Sequence, residues 1–262
     1  MRLKEKYTLD DLIEIIKRLR GENGCPWDKV QTHQSIKKDM LEEAYEAVDA
    51  LDNCDDAMFA NELGDVLLQV VFHSVMAEER NAFDFDSVLK EVCDKLITRH
   101  THVFGDVRAE NAEDALKTWE MNKKKEKGQT SYTELLEDLP KGMPALFRAE
   151  KIQKRAARAG FDWDNIDDVF AKVREELGEL EDAMAGEGQE RVEEEFGDLL
   201  FALVNLGRFL NVNSETALVL ANSKFIKRFA KMETLAMAEG RSLDDMNLEE
   251  MDELWNKIKK NK

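Results

Sequence analysis

Cysteine and proline are scarce in this chain of 262 residues, which contains three of each and 13 glycines. The cysteines, Cys25, Cys54 and Cys93, lie far apart in the sequence. They therefore form neither a CxxC metal pair nor the disulfide framework of a small secreted protein. So few prolines and glycines also argue against an all-β sandwich, because its many turns depend on these residues. The composition favours a helix-rich protein.

The chain also lacks long apolar runs and an excess of positive charge. Its most apolar stretch, Val66 to Phe72, is far shorter than the roughly 20 residues that a membrane-spanning helix needs. The first twelve residues lack the apolar segment of a signal peptide. The formal net charge of -18 would repel the phosphates of duplex nucleic acid and of an anionic membrane. We expect a cytoplasmic protein that binds neither of these, and whose ligands are cations or phosphates that arrive with cations.

Helical periodicity is present along nearly the whole chain. Apolar residues recur at three- and four-residue steps, as from Leu41 to Leu51 and from Leu63 to Val71, which predicts an all-α fold. A polar stretch at 127–143 carries two of the three prolines and is typical of a linker. The predicted helices cover residues 9–20, 86–99, 112–126, 144–158, 166–186, 188–210, 214–239 and 247–260.

An acidic pattern occurs twice. Glu-Glu-x-x-Glu followed by Glu-x-x-Asp is found at Glu42, Glu43, Glu46, Glu62 and Asp65, and again at Glu175, Glu176, Glu179, Glu195 and Asp198. In both halves 19 residues separate the second glutamate from the fourth (62 − 43 and 195 − 176). Three further pairs recur in the same order: Trp27-Asp28 with Trp163-Asp164, Lys95 and Arg99 with Lys224 and Arg228, and Trp119 and Lys123 with Trp255 and Lys259. We infer a tandem duplication of all-α domains at 1–126 and 144–262, joined by a linker at 127–143.

The repeated carboxylates indicate a metal site. An isolated pair of glutamates usually marks a solvated helix face, but these lie beside apolar positions on two successive helices. Four carboxylates there would raise one another's pKa values unless cations bind. Oxygen ligands without sulfur or nearby histidine favour Mg²⁺ or Mn²⁺. A di-iron bundle needs Glu-x-x-His on two helices, and the sequence contains no such motif.

The sequence has no glycine-rich phosphate loop of the GxxxxGK[ST] or GxGxxG type, so phosphate would have to be held by other groups. Lys224 and Arg228 lie one helical turn apart and are suited to bind phosphate. Trp255 is available to stack on a base. Each of these residues alone is typical of a surface charge or a core aromatic, and their recurrence in both halves favours a function.

The chain resembles the MazG family of nucleoside triphosphate pyrophosphohydrolases. The resemblance rests on the duplicated acidic motif and on segments that run nearly end to end: "NGCPWDKVQTH", "ELGDVLLQVVF", "RHTHVFGD", "RAEKIQKRAARAGFDW" and "EEEFGDLLFALVNLGRF". It implies an all-α homodimer in which helices of two protomers complete each bundle. It also implies Mg²⁺-dependent hydrolysis of ribo- and deoxyribonucleoside triphosphates, ATP included, to the monophosphate and pyrophosphate, with Mn²⁺ as a substitute.

The resemblance also implies where the site lies, because in such proteins the C-terminal domain holds the nucleotide. Metal ligation would fall to Glu176, Glu179, Glu195 and Asp198. Catalytic roles would fall to Glu175, Glu176, Lys224 and Arg228. Nucleotide contacts would come from Lys172, Val173, Arg174, Glu175 and Glu176, from Arg191, Val192, Glu193 and Glu194, from Lys224, Phe225, Ile226, Lys227 and Arg228, and from Trp255. Arg191 departs from the lysine expected in close relatives, which keeps the charge and changes the geometry.

The resemblance implies a mechanism in which bound metal neutralises the triphosphate and activates a water. Attack at the α-phosphorus then expels pyrophosphate. Glu175 is one candidate to orient or deprotonate that water, and the choice of base stays open. It also stays open whether the N-terminal acidic set is a second site, and whether the substrate is that of dUTP or phosphoribosyl-ATP pyrophosphohydrolases, which share the metal motif.

A different class of function is a non-catalytic nucleotide sensor or a partner-binding regulatory dimer. Relatives have been linked to a ribosome-associated GTPase and to a starvation response, so such a GTPase is a predicted partner by resemblance. Turnover separates the two classes, because an enzyme releases pyrophosphate at catalytic protein concentrations and a sensor does not.

Overall fold

A computed structural model describes residues 3–186 and 188–260. The described residues form thirteen α-helices and one 3₁₀ turn and contain no β-strand, so the all-α prediction is confirmed. Two compact units divide between Lys123 and Lys124. In the described residues no helix has both the length and the apolar character needed to cross a bilayer.

Unit 1 contains six helices and the greater part of a seventh, which continues past the division. Its core lies between α1 and α4, where Ile16 packs with Val71, Phe72 and Val75. α3 and α4 lie side by side and are joined by a three-residue turn, which makes them antiparallel neighbours. The helices are α1 (Leu9–Arg20), α2 (Pro26–Val30), α3 (Asp39–Asp52), α4 (Asp56–Glu79), α5 (Phe85–Arg99), α6 (Thr101–Phe104) and α7 (Ala112–Glu126).

Unit 2 repeats the antiparallel pair as α10 and α11, which make its most extensive helix contact. α12 packs on α13 through Met232, Ala236 and Leu254, and Met246, which follows the 3₁₀ turn, joins the same core. The helices are α8 (Tyr132–Glu137), α9 (Ala145–Arg158), α10 (Ile166–Met184), α11 (Gln189–Phe209), α12 (Ser214–Ala238) and α13 (Leu248–Lys260), with a 3₁₀ turn at Leu243–Asp245.

Side-chain caps begin two of the four helices that carry the acidic residues, α4 and α10. The Asp55 carboxylate accepts a hydrogen bond from the Met58 backbone N–H and starts α4. The Asn165 side chain does the same for the N–H of Asp168 and starts α10. Such caps satisfy one of the four amide groups that have no partner inside a helix. The two caps therefore fix where α4 and α10 start and, with it, which face their glutamates occupy.

The stretch predicted as a linker, 127–143, contains structure of its own. α8 begins with a capping box between Ser131 and Glu134 and packs on α9. Leu139 is buried, and the guanidinium of Arg155 donates a hydrogen bond to the backbone carbonyl of Leu135. In the structure this stretch belongs to unit 2.

A pair of histidines joins α4 to the segment after α2 in unit 1. The rings of His33 and His73 stack with centroids 5.1 Å apart and planes 3° from parallel, and their Nδ1 atoms are 2.8 Å apart. Neither Nε2 atom has a hydrogen-bond partner in the described part of the chain, and both are buried. Burial, followed by the charge of His33, lowers the pKa of His73. Protonation of both rings would place two like charges in contact.

This pair makes stability depend on pH. The folded chain holds fewer protons on His73 than the unfolded chain, since the folded pKa is the lower one. The free energy of unfolding is then largest above about pH 6.5 and falls as the pH decreases through that value towards the folded pKa. His73→Phe should flatten this slope, measured by urea unfolding at several pH values. The control is His100→Phe, because His100 lies outside the pair. If the free energy of unfolding depends equally on pH in the unchanged chain and in His73→Phe, the prediction is contradicted.

Candidate metal and nucleotide site

Three carboxylates of unit 2 meet in the seam between α10 and α11. Glu176 and Glu179 lie one turn apart on α10, and Glu195 faces them from the first half of α11. One carboxylate oxygen of each residue lies within 4.8 Å of one oxygen of each of the other two. α11 packs along α10, which brings the acids together. We call these three residues the unit 2 cluster.

The unit 2 cluster contains two buried carboxylates. Glu195 is 2% exposed and Glu176 is 6% exposed, although carboxylates are almost always at the surface unless paired. The Oε2 atom of Glu195 is buried and has no hydrogen-bond partner among the described residues. An unpaired buried carboxylate oxygen is costly, so this atom is positioned to receive a cation.

Each buried carboxylate has a basic residue one turn earlier on its own helix. The Lys172 ammonium lies 2.8 Å from Glu176 and 2.8 Å from Glu175. The Arg191 guanidinium contacts Glu195 and lies 2.8 Å from Glu194. The basic side chains are 34% and 43% exposed, against 8% and 3% for the Glu176 and Glu195 side chains. The positive charges therefore lie at the rim of the cluster.

The electrostatics of the unit 2 cluster follow from this geometry. Burial, and then the charges of Glu176 and Glu195, raise the pKa of Glu179, while Lys172 acts in the opposite direction. Hydrogen bonds to Glu175 and Glu176 raise the pKa of Lys172. The site thus holds crowded negative charge that is only partly offset by its own cations.

Unit 1 contains a second cluster, whose three acids form no ion pair within the described residues. Oxygens of Glu43, Glu62 and Asp65 lie within 4.8 Å of one another, and the Asn61 amide is 3.3 Å from both Glu62 and Asp65. Burial, and then the charge of Asp65, raise the pKa of Glu43. Burial, and then the charge of Glu62, raise that of Glu46. Counting back 133 residues (176 − 43), Lys172 and Arg191 correspond to Asp39 and Met58.

The structure places two predicted residues at the margin of the unit 2 cluster. Asp198, the predicted fourth metal ligand, is exposed and does not belong to the cluster of three. Its counterpart in unit 1, Asp65, does belong to the unit 1 cluster. Glu175 pairs with Lys172, and its side chain is 56% exposed. Glu175 lies on α10 and Asp198 lies on α11, the two helices that carry the cluster.

Other predicted nucleotide-binding residues lie on α12 and α13. Lys224 and Arg228 lie one turn apart on α12. The ring of Phe225 is 5.1 Å from that of Trp255 between centroids, and the Lys259 ammonium is 5.9 Å from the Trp255 centroid. Trp255 also packs against the core formed by α12 and α13, so part of its ring is already covered. The remaining residues of the predicted set are Val173, Arg174, Val192, Glu193, Ile226 and Lys227, and they lie on α10, α11 and α12.

The contact between two predicted nucleotide-binding residues and the predicted metal ligands was not expected from the sequence. Lys172 and Arg191 each precede a cluster glutamate by four residues. This spacing places two side chains on one helix face and was the available signal. The same two basic residues can therefore contact either the carboxylates or an anion at the rim.

Comparison with known proteins places this geometry in a family. The MazG nucleotide pyrophosphohydrolase domain family matches residues 31–104 and 165–232, which include both clusters. The chain is 46% identical to the nucleoside triphosphate pyrophosphohydrolase of Escherichia coli K12, over 96% of this chain and 97% of that protein. It is 46% identical to the nucleoside triphosphate pyrophosphohydrolase/pyrophosphatase MazG of Thermotoga maritima, over 98% of each. It is also 47% identical to the uncharacterized protein YabN of Bacillus subtilis, over 94% of this chain and 50% of that protein.

Proposed function

Because this chain belongs to the MazG family and is a nucleoside triphosphate pyrophosphohydrolase, we propose that its chemistry takes place at the unit 2 cluster. The reaction joins water to a nucleoside triphosphate and yields the monophosphate and pyrophosphate. The observation that carries this assignment is the buried Oε2 of Glu195, which has no hydrogen-bond partner in the described part of the chain. It lies in a cluster of three carboxylates that has basic residues at its rim.

The donor set fits a hard divalent cation. Glu176, Glu179 and Glu195 offer only oxygen, which Mg²⁺ and Mn²⁺ prefer. Asp198 lies one turn after Glu195 on α11 and would complete the set by a change of side-chain rotamer. The membership of its counterpart Asp65 in the unit 1 cluster supports that reach. A bound Mg²⁺ would neutralise phosphate charge and lower the pKa of a water.

The chain's own residues then bind and orient the substrate. Lys224 and Arg228 would contact phosphoryl oxygens and stabilise the charge that develops there. Trp255 would offer the uncovered part of its ring to the base. Glu175, exposed beside Lys172, would orient the attacking water and accept its proton. The water oxygen bonds to the α-phosphorus as the bond to the β-phosphate oxygen breaks, and pyrophosphate leaves.

The helical pairs carry apolar surface that suits a second copy of the chain. On α11, Phe196, Leu200 and Leu203 are exposed, as are Leu41 and Tyr45 on α3. A contiguous exposed apolar face of this kind marks an interaction surface. We propose a homodimer in which each α10–α11 or α3–α4 pair packs on its copy to complete a bundle. A ribosome-associated GTPase as a further partner stays a prediction.

Pyrophosphate release tests the proposed function. The full chain, at catalytic concentration with Mg²⁺, is expected to convert ATP, dCTP and dUTP over many turnovers, with one pyrophosphate released per monophosphate. The relative rates would identify the preferred substrate. Binding of nucleotide without turnover would contradict the proposal and favour a nucleotide sensor.

A further inference from the structure

We propose that Lys172 and Arg191 are exchangeable counter-ions of the unit 2 cluster. Each forms an ion pair with a buried carboxylate until a divalent cation binds there. Each then forms an ion pair with the incoming triphosphate instead. This inference rests on the proposed function and adds a role that phosphate contact alone does not give. The two residues would couple metal binding to nucleotide binding.

The two members of each ion pair differ in burial. The carboxylates of Glu176 and Glu195 are fixed in the seam, with side chains 8% and 3% exposed, whereas their partners are 34% and 43% exposed. A lysine or arginine at the rim can turn into solvent by rotation about its flexible stem. A buried carboxylate has no such alternative. The basic side chains are therefore the mobile members of the pairs.

The basic side chains can leave the carboxylates only when another cation takes their place. Removing one partner of a buried ion pair leaves an uncompensated charge, which is strongly unfavourable. Departure of Lys172 or Arg191 is thus tied to the arrival of another cation. Conversely, positive charges in contact with Glu176 and Glu195 oppose a divalent cation at the same carboxylates. The metal ion and the basic side chain therefore compete for the same carboxylate.

The released basic side chains remain close to the cluster. Both side chains extend from the turn that precedes a cluster glutamate. They therefore stay at the rim of the cluster after they have left the carboxylates. A triphosphate held by a metal in the cluster brings its negative charge to that rim. By linkage, a side chain that opposes metal alone and favours metal with triphosphate makes the two ligands bind cooperatively.

Unit 1 provides an internal comparison. Its cluster has Asp39 and Met58 where unit 2 has Lys172 and Arg191, and its buried Glu62 accepts a hydrogen bond from the neutral amide of Asn61 at 3.3 Å. Both units thus bring carboxylates of two neighbouring helices together, while the ion pairs to basic residues four positions earlier are found in unit 2. This difference indicates that the basic residues serve ligand exchange rather than assembly of the helix pair.

Metal titrations of Lys172→Met and Arg191→Met test the proposal in the full chain. With Mn²⁺ alone, followed by calorimetry, each variant should bind the metal at the unit 2 cluster at least about fivefold more tightly than the unchanged chain. With Mn²⁺ and an ATP analogue that has a methylene group between the α- and β-phosphorus, each should bind the nucleotide at least about fivefold more weakly. Opposite changes in the two affinities are the signature of exchange.

Two substitutions serve as controls. Lys154→Met removes a lysine that pairs with a buried glutamate, Glu150, on α9, and should change neither affinity. Lys224→Met removes a predicted phosphate contact for which no ion pair is found in the described part of the chain. It should weaken nucleotide binding and leave Mn²⁺ binding unchanged.

Unchanged or weaker Mn²⁺ binding by both variants would overturn the exchange, even if the unchanged chain hydrolyses ATP. Failure of the proposed function would differ, since the unchanged chain would then release no pyrophosphate. If the variants do not fold, the exchange is tested in the unchanged chain by nuclear magnetic resonance. The side-chain Nε–H signal of Arg191 should shift when Mg²⁺ alone binds, and a constant signal through that titration would contradict the proposal.

Discussion

Glu195→Gln is expected to lower the rate of pyrophosphate release by at least about 100-fold, since loss of groups that only support metal ligands already costs about 10- to 100-fold. The side chain is almost fully buried, and its Oε2 has no partner in the described residues. Glutamine keeps the shape and removes the charge that binds a cation. The rate is measured at saturating Mg²⁺ and ATP.

Two matched substitutions separate chemistry from folding. Glu150→Gln changes another buried glutamate of unit 2, which lies outside the cluster, and should retain most of the activity. Glu62→Gln makes the same change at the equivalent position of unit 1, where the flanking basic residues are replaced by Asp39 and Met58. It should cost much less than Glu195→Gln. A rate above a tenth of the original in Glu195→Gln, with helicity intact, would refute the assignment.

Removal of divalent cations should abolish turnover and weaken triphosphate binding by at least tenfold. Each contact at about 4 Å between a phosphate charge and a cluster carboxylate costs about 4 kcal/mol at an effective dielectric of about 20, before screening. Lys172 and Arg191 neutralise part of the cluster, but a triphosphate carries roughly three to four negative charges at neutral pH. Binding of the α,β-methylene ATP analogue is compared by calorimetry in Mg²⁺ and in EDTA.

Adenosine is the control ligand for this comparison, because it keeps the base and sugar and lacks the phosphates. Its affinity should be the same in Mg²⁺ and in EDTA. A smaller than tenfold difference for the triphosphate analogue would show that the carboxylates do not form a joint site for metal and nucleotide.

The long helices were predictable because each has an apolar face at helical period. The short ones were not. α2 starts at Pro26 and was missed because the glycines of this segment indicate a break. The helix forms there because proline is favoured at the first position of a helix. α8 lies in the predicted linker, where two prolines and polar residues conceal a capped turn that tertiary packing on α9 retains. In both cases local composition opposed an element that context stabilises.

The candidate site was predictable to the level of its carboxylates. The duplicated spacing placed Glu176, Glu179 and Glu195 together, and the structure groups them. The pattern also predicted Asp198 as a metal ligand. Helical spacing determines the face on which a side chain lies, but not the rotamer that brings its oxygen close to the other carboxylates. The ion pairs of Lys172 and Arg191 were missed because a sequence does not show whether a basic residue contacts its own helix or a ligand.

Hydrolysis of ATP in water enriched in ¹⁸O tests the central claim most directly. If water attacks the α-phosphorus at the unit 2 cluster, the AMP product carries one ¹⁸O and the pyrophosphate carries none, as measured by mass spectrometry of both products in the presence of Mg²⁺. Label in the pyrophosphate, or formation of ADP and phosphate, would contradict this account.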